Sequence, residues 1–567
     1  MTRGMRVVAL CAAAIVATAA AGRVAQNGEP IVSVHLLAIN DFHGALEPAA
    51  GGTGRVGSVD AGGVEYLATH LARLKAANPH TVIVSAGDNI GGSPLLSSLS
   101  HDEGAVEALN LAELQYSAVG NHELDEGWSE LYRMQRGGCH PVDGCQDGTP
   151  FSGAAFSYLA ANIIFDPRGA NPEDLTRAGV RGSEPRPLFP PYAIHNVAGV
   201  RVGFIGAILD EAPTVIIAAG RRDLSFNPVV ESVNRAARAL RDEGVRAIVV
   251  LVHEGANYTG SDINACDLRT SPSFVDLVTR LSDDVDVVLS GHSHVAYNCT
   301  IDGKLVTSAA SFGVVITDVD LRIRRSDGEV VGKNARNVVV TRDVPKTVAE
   351  SAVIANYRPV ADTVGSRLVG AIEGSLTRAA SESGESALGE LIADAMLDAA
   401  RRAAGAGVDL AFWNPGGIRA DLVAPGGTGP TPVTYAQLFS VLPFGNELIV
   451  KSLKGEAILE ALEQQFGERP RIMQFADGFT YAYDAARPAG QRIDRGSVRV
   501  GGAPLDPGRT YRVATSNFLW GTGDGLKALA GGTDPVLIGI DVDITAEYLS
   551  RHSPARPVVH DRIRRTR

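Results

Sequence analysis

The chain has 567 residues, 45% of them hydrophobic and 20% charged, enough apolar content for two or three domains with full cores and too much for disorder. Its 52 basic residues stand against 64 acidic ones, a net charge of −12. That balance supplies no broad basic face and argues against nucleic acid as a partner, but a small phosphorylated ligand needs only local positive charge or metal.

Met1 to Gly22 carries Arg3 and Arg6 ahead of the alanine-rich apolar run Val7 to Ala21, the layout of a secretory signal peptide over 1–22 with a cleavage site near Ala21. No later stretch is apolar for long enough to span a bilayer. The mature protein is therefore expected to be soluble and exported, either secreted or held in the periplasm or cell envelope. Setting Cys11 aside leaves Cys139, Cys145, Cys266 and Cys299, read in an exported protein as two disulfides, 139–145 and 266–299.

A first domain is expected over 30–341. Strand-like runs fall at Val32–Ile39, Thr81–Ala86, Ser117–Val119, Val200–Ile208, Arg246–Val252, Val285–Leu289 and Val314–Ile323. Between them, Val64 to Leu74 and Val229 to Leu240 place apolar residues at helical spacing, so this is an α/β domain with a mixed sheet. The Pro/Gly-rich segments 137–150 and 166–191 read as long surface loops. A polar linker or hinge is expected over 342–363, with Pro345 and Pro359, and a second domain over 364–556. That domain opens with a helix from Ser386 to Arg401, followed by strands at Val408–Trp413, Glu447–Val450, Gly478–Tyr483 and Tyr511–Thr515.

Five blocks in the first domain are built alike. Each is a buried strand that ends in Asp, Asn or His, usually beside a glycine that lets backbone approach closely. They are Asn40-Asp41-Phe42-His43-Gly44, Gly87-Asp88-Asn89-Ile90-Gly91-Gly92-Ser93, Gly120-Asn121-His122-Glu123-Leu124-Asp125, His253-Glu254-Gly255 and Gly291-His292-Ser293-His294. One such block is most simply a turn, but five in one domain supply the inventory of a two-metal site: a bridging carboxylate and several N/O ligands. No thiolate is among them, which favours Zn, Mn, Fe or Co over a soft metal.

Together these blocks resemble the calcineurin-like metallophosphoesterases and, among them, the 5′-nucleotidase family, whose C-terminal substrate-binding domain the second half also resembles. The resemblance implies an α/β fold, a four-layer αββα sandwich followed by a smaller α+β domain. It also implies two divalent metal ions. One would be held by Asp41, His43, Asp88 and His294, the other by Asp88, Asn121, His253 and His292, with Asp88 bridging. His122 and Asp125 would be the catalytic pair, a protonated imidazole oriented by a carboxylate three residues on and able to stabilise phosphoryl charge or help the leaving group.

In the second half, Asn414-Pro415-Gly416-Gly417-Ile418-Arg419 is a Gly-rich turn ending in arginine, suited to phosphate. Phe444 and Phe518 lie in Gly-rich loops, suited to stacking a nucleobase. The resemblance assigns Asn414, Gly417 and Arg419 to the substrate, Arg419 to its phosphate. It assigns Phe444 and Phe518 to a base sandwich, Asn446 to the base edge and Asp524 to the ribose hydroxyls. Two positions depart from the family pattern: Gly384 stands where an arginine is common, with Arg378 the nearest upstream candidate, and Asp477 replaces a glycine.

The expected activity is removal of the 5′-phosphate from nucleotides by in-line attack of a metal-bound hydroxide, gated by domain movement about the linker. The same scaffold would also suit a UDP-sugar or dinucleotide pyrophosphohydrolase, a 2′,3′-cyclic nucleotide phosphodiesterase or a broad-specificity phosphatase. From another class, a non-catalytic nucleotide-binding or adhesion protein stays open.

Overall fold

The strand Ile31–Ile39 is apolar on both faces over its carboxyl half, Leu36 to Ile39, so both must be covered there. Side chains alternate along it. Val34 and Leu36 pack inward with Phe204, Val249, Leu251 and Leu321, whereas Leu37 and Ile39 join the opposite cluster with Leu67, Leu71 and Val106. Truncating a fully buried leucine such as Leu36 to alanine would cost about 2–5 kcal/mol. In this computed structural model, residues 29–567 are described apart from 50, 259, 406, 425, 427–429, 468 and 469. The expected signal peptide lies outside the described residues.

The strand pairs in parallel with Thr81–Ser85 and antiparallel with Val315–Arg324. The sheet runs on to Val330–Val339 at one edge and through Tyr116–Ala118 to Ser157–Leu159 at the other. A second six-stranded sheet has the order Ala296–Ile301, Lys304–Ala309, Val287–Ser290, Ala247–His253, Val200–Ile208, Tyr192–Val197. The inner faces share one core. Outside the first sheet lie the helices Val64–Ala77 and Glu103–Leu111, and outside the second lie Val229–Asp242 and Pro272–Arg280. The result is a four-layer αββα sandwich.

Cys139–Cys145 and Cys266–Cys299 are both bonded. The segment 166–191, expected as loop, contributes the helix Pro172–Arg177 and the short strand Arg186–Pro187 to a small three-stranded sheet with Ile163–Phe165 and Leu224–Phe226. Apolar Ile163 and Phe165 need that cover.

The polar stretch after the sandwich forms the helix Val348–Gly365, which carries Pro359 inside it. It packs on the first half through Val353, Ile354 and Tyr357, and Arg358 bonds Glu47 at 2.6 Å. Its far end, at Gly365, abuts Ala436 of the second half.

That half is built on a five-stranded sheet ordered Gln474–Phe475, Leu410–Trp413, Thr510–Ser516, Glu447–Lys454, Thr533–Ile540. The helix Ala387–Ala404 covers one face and Gly455–Gln464 the other. The half reaches past 556, because Ile563–Arg565 adds a parallel strand to Phe479–Tyr483. Among the described residues, no helix is long and apolar enough to cross a membrane.

Candidate active site

All five polar blocks lie at the carboxyl ends of strands in the two facing sheets, the edge where open α/β sheets place their chemistry. Asp41 and His43 follow Ile31–Ile39, Asp88 follows Thr81–Ser85, and Asn121 and His122 follow Tyr116–Ala118. His253 ends its own strand, and His292 and His294 follow Val287–Ser290. Five of the seven expected ligands are non-glycine residues with left-handed backbone: Asp41, His43, Asp88, His292 and His294, with φ between 47° and 67°. Strain of this kind persists only where the surroundings impose it, and it gathers at functional sites.

The seven side chains form two adjoining clusters. In one, His294 Nε2 lies 3.3 Å from Asp41 Oδ1 and 3.1 Å from His43 Nε2. In the other, His253 Nε2 lies 2.9 Å from Asp88 Oδ2 and 3.1 Å from Asn121 Oδ1, and His292 Nδ1 is 3.0 Å from the same Asn121 oxygen. Asp88 Oδ2 also comes within 3.8 Å of His43 Nε2, so a single oxygen reaches both clusters.

The donor chemistry fits divalent cations. The Nδ1–H of His43 donates to the Gly91 carbonyl at 2.8 Å, and that of His253 to the Ala86 carbonyl at 2.9 Å. Each contact leaves Nε2 with its lone pair aimed at other lone pairs, the orientation seen in metal-binding imidazoles. Burial drives His43 well below its ordinary value. Burial also opposes charge on His253, but Asp88 prevails and pushes it up to about 10. Burial alone would raise Asp88; the charges of His253 and His122 overcome it and hold the carboxyl well below its usual range.

Glu123 had no role in the sequence reading. Its buried carboxylate accepts from the backbone N–H groups of Asp88, Asn89 and Gly120 at 2.7–2.8 Å, tying two strand ends together. Burial and then Asp88 push it up to about 7. Gly120 is needed there because a Cβ would collide with Asp88 Oδ1. The three-residue turn His122–Leu124 brings Asp125 back under His122, with Nδ1 2.9 Å from Oδ2. Burial opposes charge on that imidazole, but Asp125 and Asp88 raise its pKa.

The second half closes over this edge. Arg419 Nη2 is 3.3 Å from both His43 Nε2 and His294 Nε2. No carboxylate pairs with Arg419 among the described residues, and its Nε has no partner. Burial and then the charge of Arg378 pull its pKa down, which places Arg378 close by as a second cation. Phe444 stacks on His122 with centroids 5.1 Å apart.

A cavity of about 260 Å³ lies between the halves. Asn121, His122, Asp125 and His292 line it from one side, and Asn414, Gly417, Arg419, Phe444, Asn446, Phe518 and Asp524 from the other. All the expected substrate residues therefore face one space. Arg471, which no local motif marks, also lines it and pairs with Asp524. Of the two departures, Gly384 has φ +95° with Ile472 packed where a side chain would start, and Asp477 is exposed away from the cavity, its N–H held by Asp394.

Two family models fall on this architecture. "Calcineurin-like phosphoesterase" matches residues 34–296 and "5′-nucleotidase, C-terminal domain" matches 367–531. Fold and strand-end donors together define a calcineurin-like metallophosphoesterase, a phosphoester hydrolase whose class uses divalent metal. The chain is 30% identical over 568 residues to the cell wall protein Lmo0130 of Listeria monocytogenes, covering 95% of this chain and 69% of that one. It is 31% identical over 526 residues to the endonuclease YhcR of Bacillus subtilis, covering 91% of this chain but only 40% of the relative's length. A crystal structure of a 5′-nucleotidase precursor from Thermus thermophilus superposes with a TM-score of 0.76 at 26% identity, over 94% of this chain and 99% of the other. The chain belongs to the 5′-nucleotidase family.

Proposed function

We propose that the protein is an exported phosphohydrolase that removes the 5′-phosphate from nucleotides with two divalent metal ions. The observation that carries this reading is Arg419, a half-buried guanidinium without a carboxylate partner, held 3.3 Å from two imidazoles of the donor clusters. A half-buried, unpaired cation in such a place suits an anion that also binds metal.

Asp41, His43, His294 and Asp88 would hold one ion, and Asp88, Asn121, His253 and His292 the other. When bound, such ions supply Lewis acidity toward phosphoryl oxygens and lower the pKa of water. His122, whose protonated form Asp125 and Asp88 favour against burial, would donate its Nε2 proton toward a phosphoryl or leaving-group oxygen. Arg419, backed by the charge of Arg378, neutralises the phosphate. Phe444 and Phe518 offer ring faces to the base, Asn446 its amide to the base edge, and Asp524 its carboxylate to the ribose, so remote contacts position the reacting bond.

Phe444 and Arg419 cover the donor clusters, so substrate enters and product leaves by separation of the halves. The helix Val348–Gly365 is bolted to the sandwich by Tyr357 and Arg358. It travels with the first half, and the pivot falls just beyond Gly365.

One observation favours a larger substrate as a second reading. A cleft of about 870 Å³ adjoins the cavity and shares Val215, His292, Arg471 and Asp524 with it. That space suits the far end of a dinucleotide or a nucleoside diphosphate linked to a sugar. Product analysis on AMP, ADP, UDP-glucose and cyclic nucleotides, with Mn²⁺ or Zn²⁺ added, separates these readings: inorganic phosphate from AMP marks the first, UMP with glucose 1-phosphate the second, and a nucleoside monophosphate a cyclic phosphodiesterase. Metal-loaded protein that bound AMP yet hydrolysed none of them would overturn the enzymatic reading.

A further inference from the structure

A second group of metal-type side chains lies apart from the catalytic edge and shares no residue with it. One donor atom each from His101, Glu126, Glu130 and His140 lies within 4.8 Å of the others. They come from separate pieces of chain: the turn before the helix Glu103–Leu111, the segment following Asp125, the first turn of the helix Trp128–Arg136, and the loop closed by Cys139–Cys145. We propose that these four residues form a site for one further transition-metal dication of the Zn²⁺ class, which braces the outer wall of the catalytic site.

Geometry comes first. The His101 and His140 rings lie stacked, 3.7 Å between centroids and 16° from parallel. His101 Nδ1 is 2.9 Å from Glu126 Oε2, and His101 Nε2 is 3.0 Å from Asp143 Oδ2. Asp143 also faces His140, its backbone N–H donating to His140 Nδ1 at 3.1 Å with its carboxylate 3.2 Å from the same nitrogen. The loop bearing His140 is fixed on both sides: His140 and Gly144 exchange backbone hydrogen bonds of 2.9 and 3.0 Å inside the disulfide ring. The two imidazoles and Glu130 are partly buried while Glu126 is exposed, which leaves an entry path.

Charge points the same way. Glu103 and Glu130 share one guanidinium, Arg133, each at 2.6 Å, while Glu126 and Asp143 face His101. The hydrogen bond from Glu126, against the cost of burying the imidazole and helped by Asp143, pushes His101 up to about 9. Two imidazole nitrogens with two carboxylate oxygens make a set for borderline ions, whereas Ca²⁺ and Mg²⁺ take oxygen ligands. An entering dication would displace the His101 proton to solvent.

The site also abuts the catalytic edge. Asp102, next to His101, accepts the Gly91 N–H at 2.9 Å, and the Gly91 carbonyl is the partner of His43 Nδ1. Glu126 directly follows Asp125, the partner of His122. An ion bound here would pin both supports at once.

The test is metal content. Full-length protein is stripped with chelator, reloaded with Zn²⁺ or Co²⁺, desalted, and its metal per chain measured for wild type, His140→Gln and Glu126→Gln. The expected result is one equivalent fewer in each variant than in wild type, together with a smaller rise of unfolding temperature on Zn²⁺ addition. Equal metal content in wild type and in folded variants overturns the proposal, as does a site that takes Ca²⁺ but neither Zn²⁺ nor Co²⁺. Far-UV circular dichroism reports the fold. If His140→Gln loses it, Glu126→Gln, altered on the exposed rim, carries the comparison alone. Neither readout uses turnover, so failure here is separate from failure of the enzymatic reading.

Discussion

The imidazole of His122 and the ring of Phe444 lie parallel, 9° apart in plane and 5.1 Å between centroids, although one belongs to the sandwich and the other to the second half. On the proposed function, the side chain assigned to phosphoryl chemistry thus touches the one assigned to the base. Phe444→Ala is expected to lower kcat/KM on AMP by ~10–100-fold, the ~1–3 kcal/mol that stacking on a base contributes. The same change should leave p-nitrophenyl phosphate nearly untouched. Equal losses on both substrates would mean that Phe444 acts through His122 and not through a base.

Arg419 gives a prediction in which stability and activity move apart. Burial and the charge of Arg378 disfavour its guanidinium more than Asp88, Asp41 and Asp125 favour it, so Arg419→Ala removes a charge that the fold holds at a cost. The unfolding midpoint is expected to stay level or rise while kcat/KM on nucleotides falls by ~10²–10³-fold. Thermal scans beside steady-state kinetics check this. A large drop in midpoint would show that the guanidinium is structural.

Chelation is expected to abolish phosphate release, and Mn²⁺ or Zn²⁺ to restore it. Asp88 serves both clusters through one oxygen, within 2.9 Å of His253 and 3.8 Å of His43. Asp88→Asn should therefore lower bound metal and cut kcat at least ~10²-fold. Elemental analysis of the desalted variant decides the point; wild-type metal content would remove Asp88 from the shared position.

Asp541 sets a pH dependence away from the metal clusters. It is fully buried, 3.4 Å from the Asn446 amide, and burial pushes its carboxyl up to about 7. The folded protein thus binds this proton more tightly than the unfolded chain does. Its contribution to stability is complete below the unfolded value near 4, declines as pH rises, and is lost above about 7. Asp541→Asn should flatten that slope and raise the midpoint at pH 8, by roughly 2–4 °C per kcal/mol for a unit of this size. An unchanged pH profile of the midpoint would discard this account.

Much of the sandwich was readable in advance, because Val32–Ile39, Arg246–Val252 and their neighbours are apolar runs stopped by polar residues and glycine. The positions of Asp41, Asp88, Asn121 and His253 followed from the same pattern, since each stands where a strand ends. Glu123 escaped notice within one of those very blocks. Its partners are backbone N–H groups from two different strands, which only the fold juxtaposes. Arg471 has no motif, and it matters only through its reach to Asp524 across the cavity. The strand Ile563–Arg565 lay hidden for a similar reason: three residues become a strand only beside Phe479–Tyr483. Loop 166–191 hid a short helix and a strand because its Pro and Gly content outweighed its few apolar residues.

Arg419 reaches the imidazoles from a loop of the second half, while every expected metal ligand belongs to the sandwich. On the proposed function, swinging the halves apart would carry the guanidinium off and leave the metal ligands together, so phosphate could depart on every cycle without loss of metal, the two holds resting on different bodies.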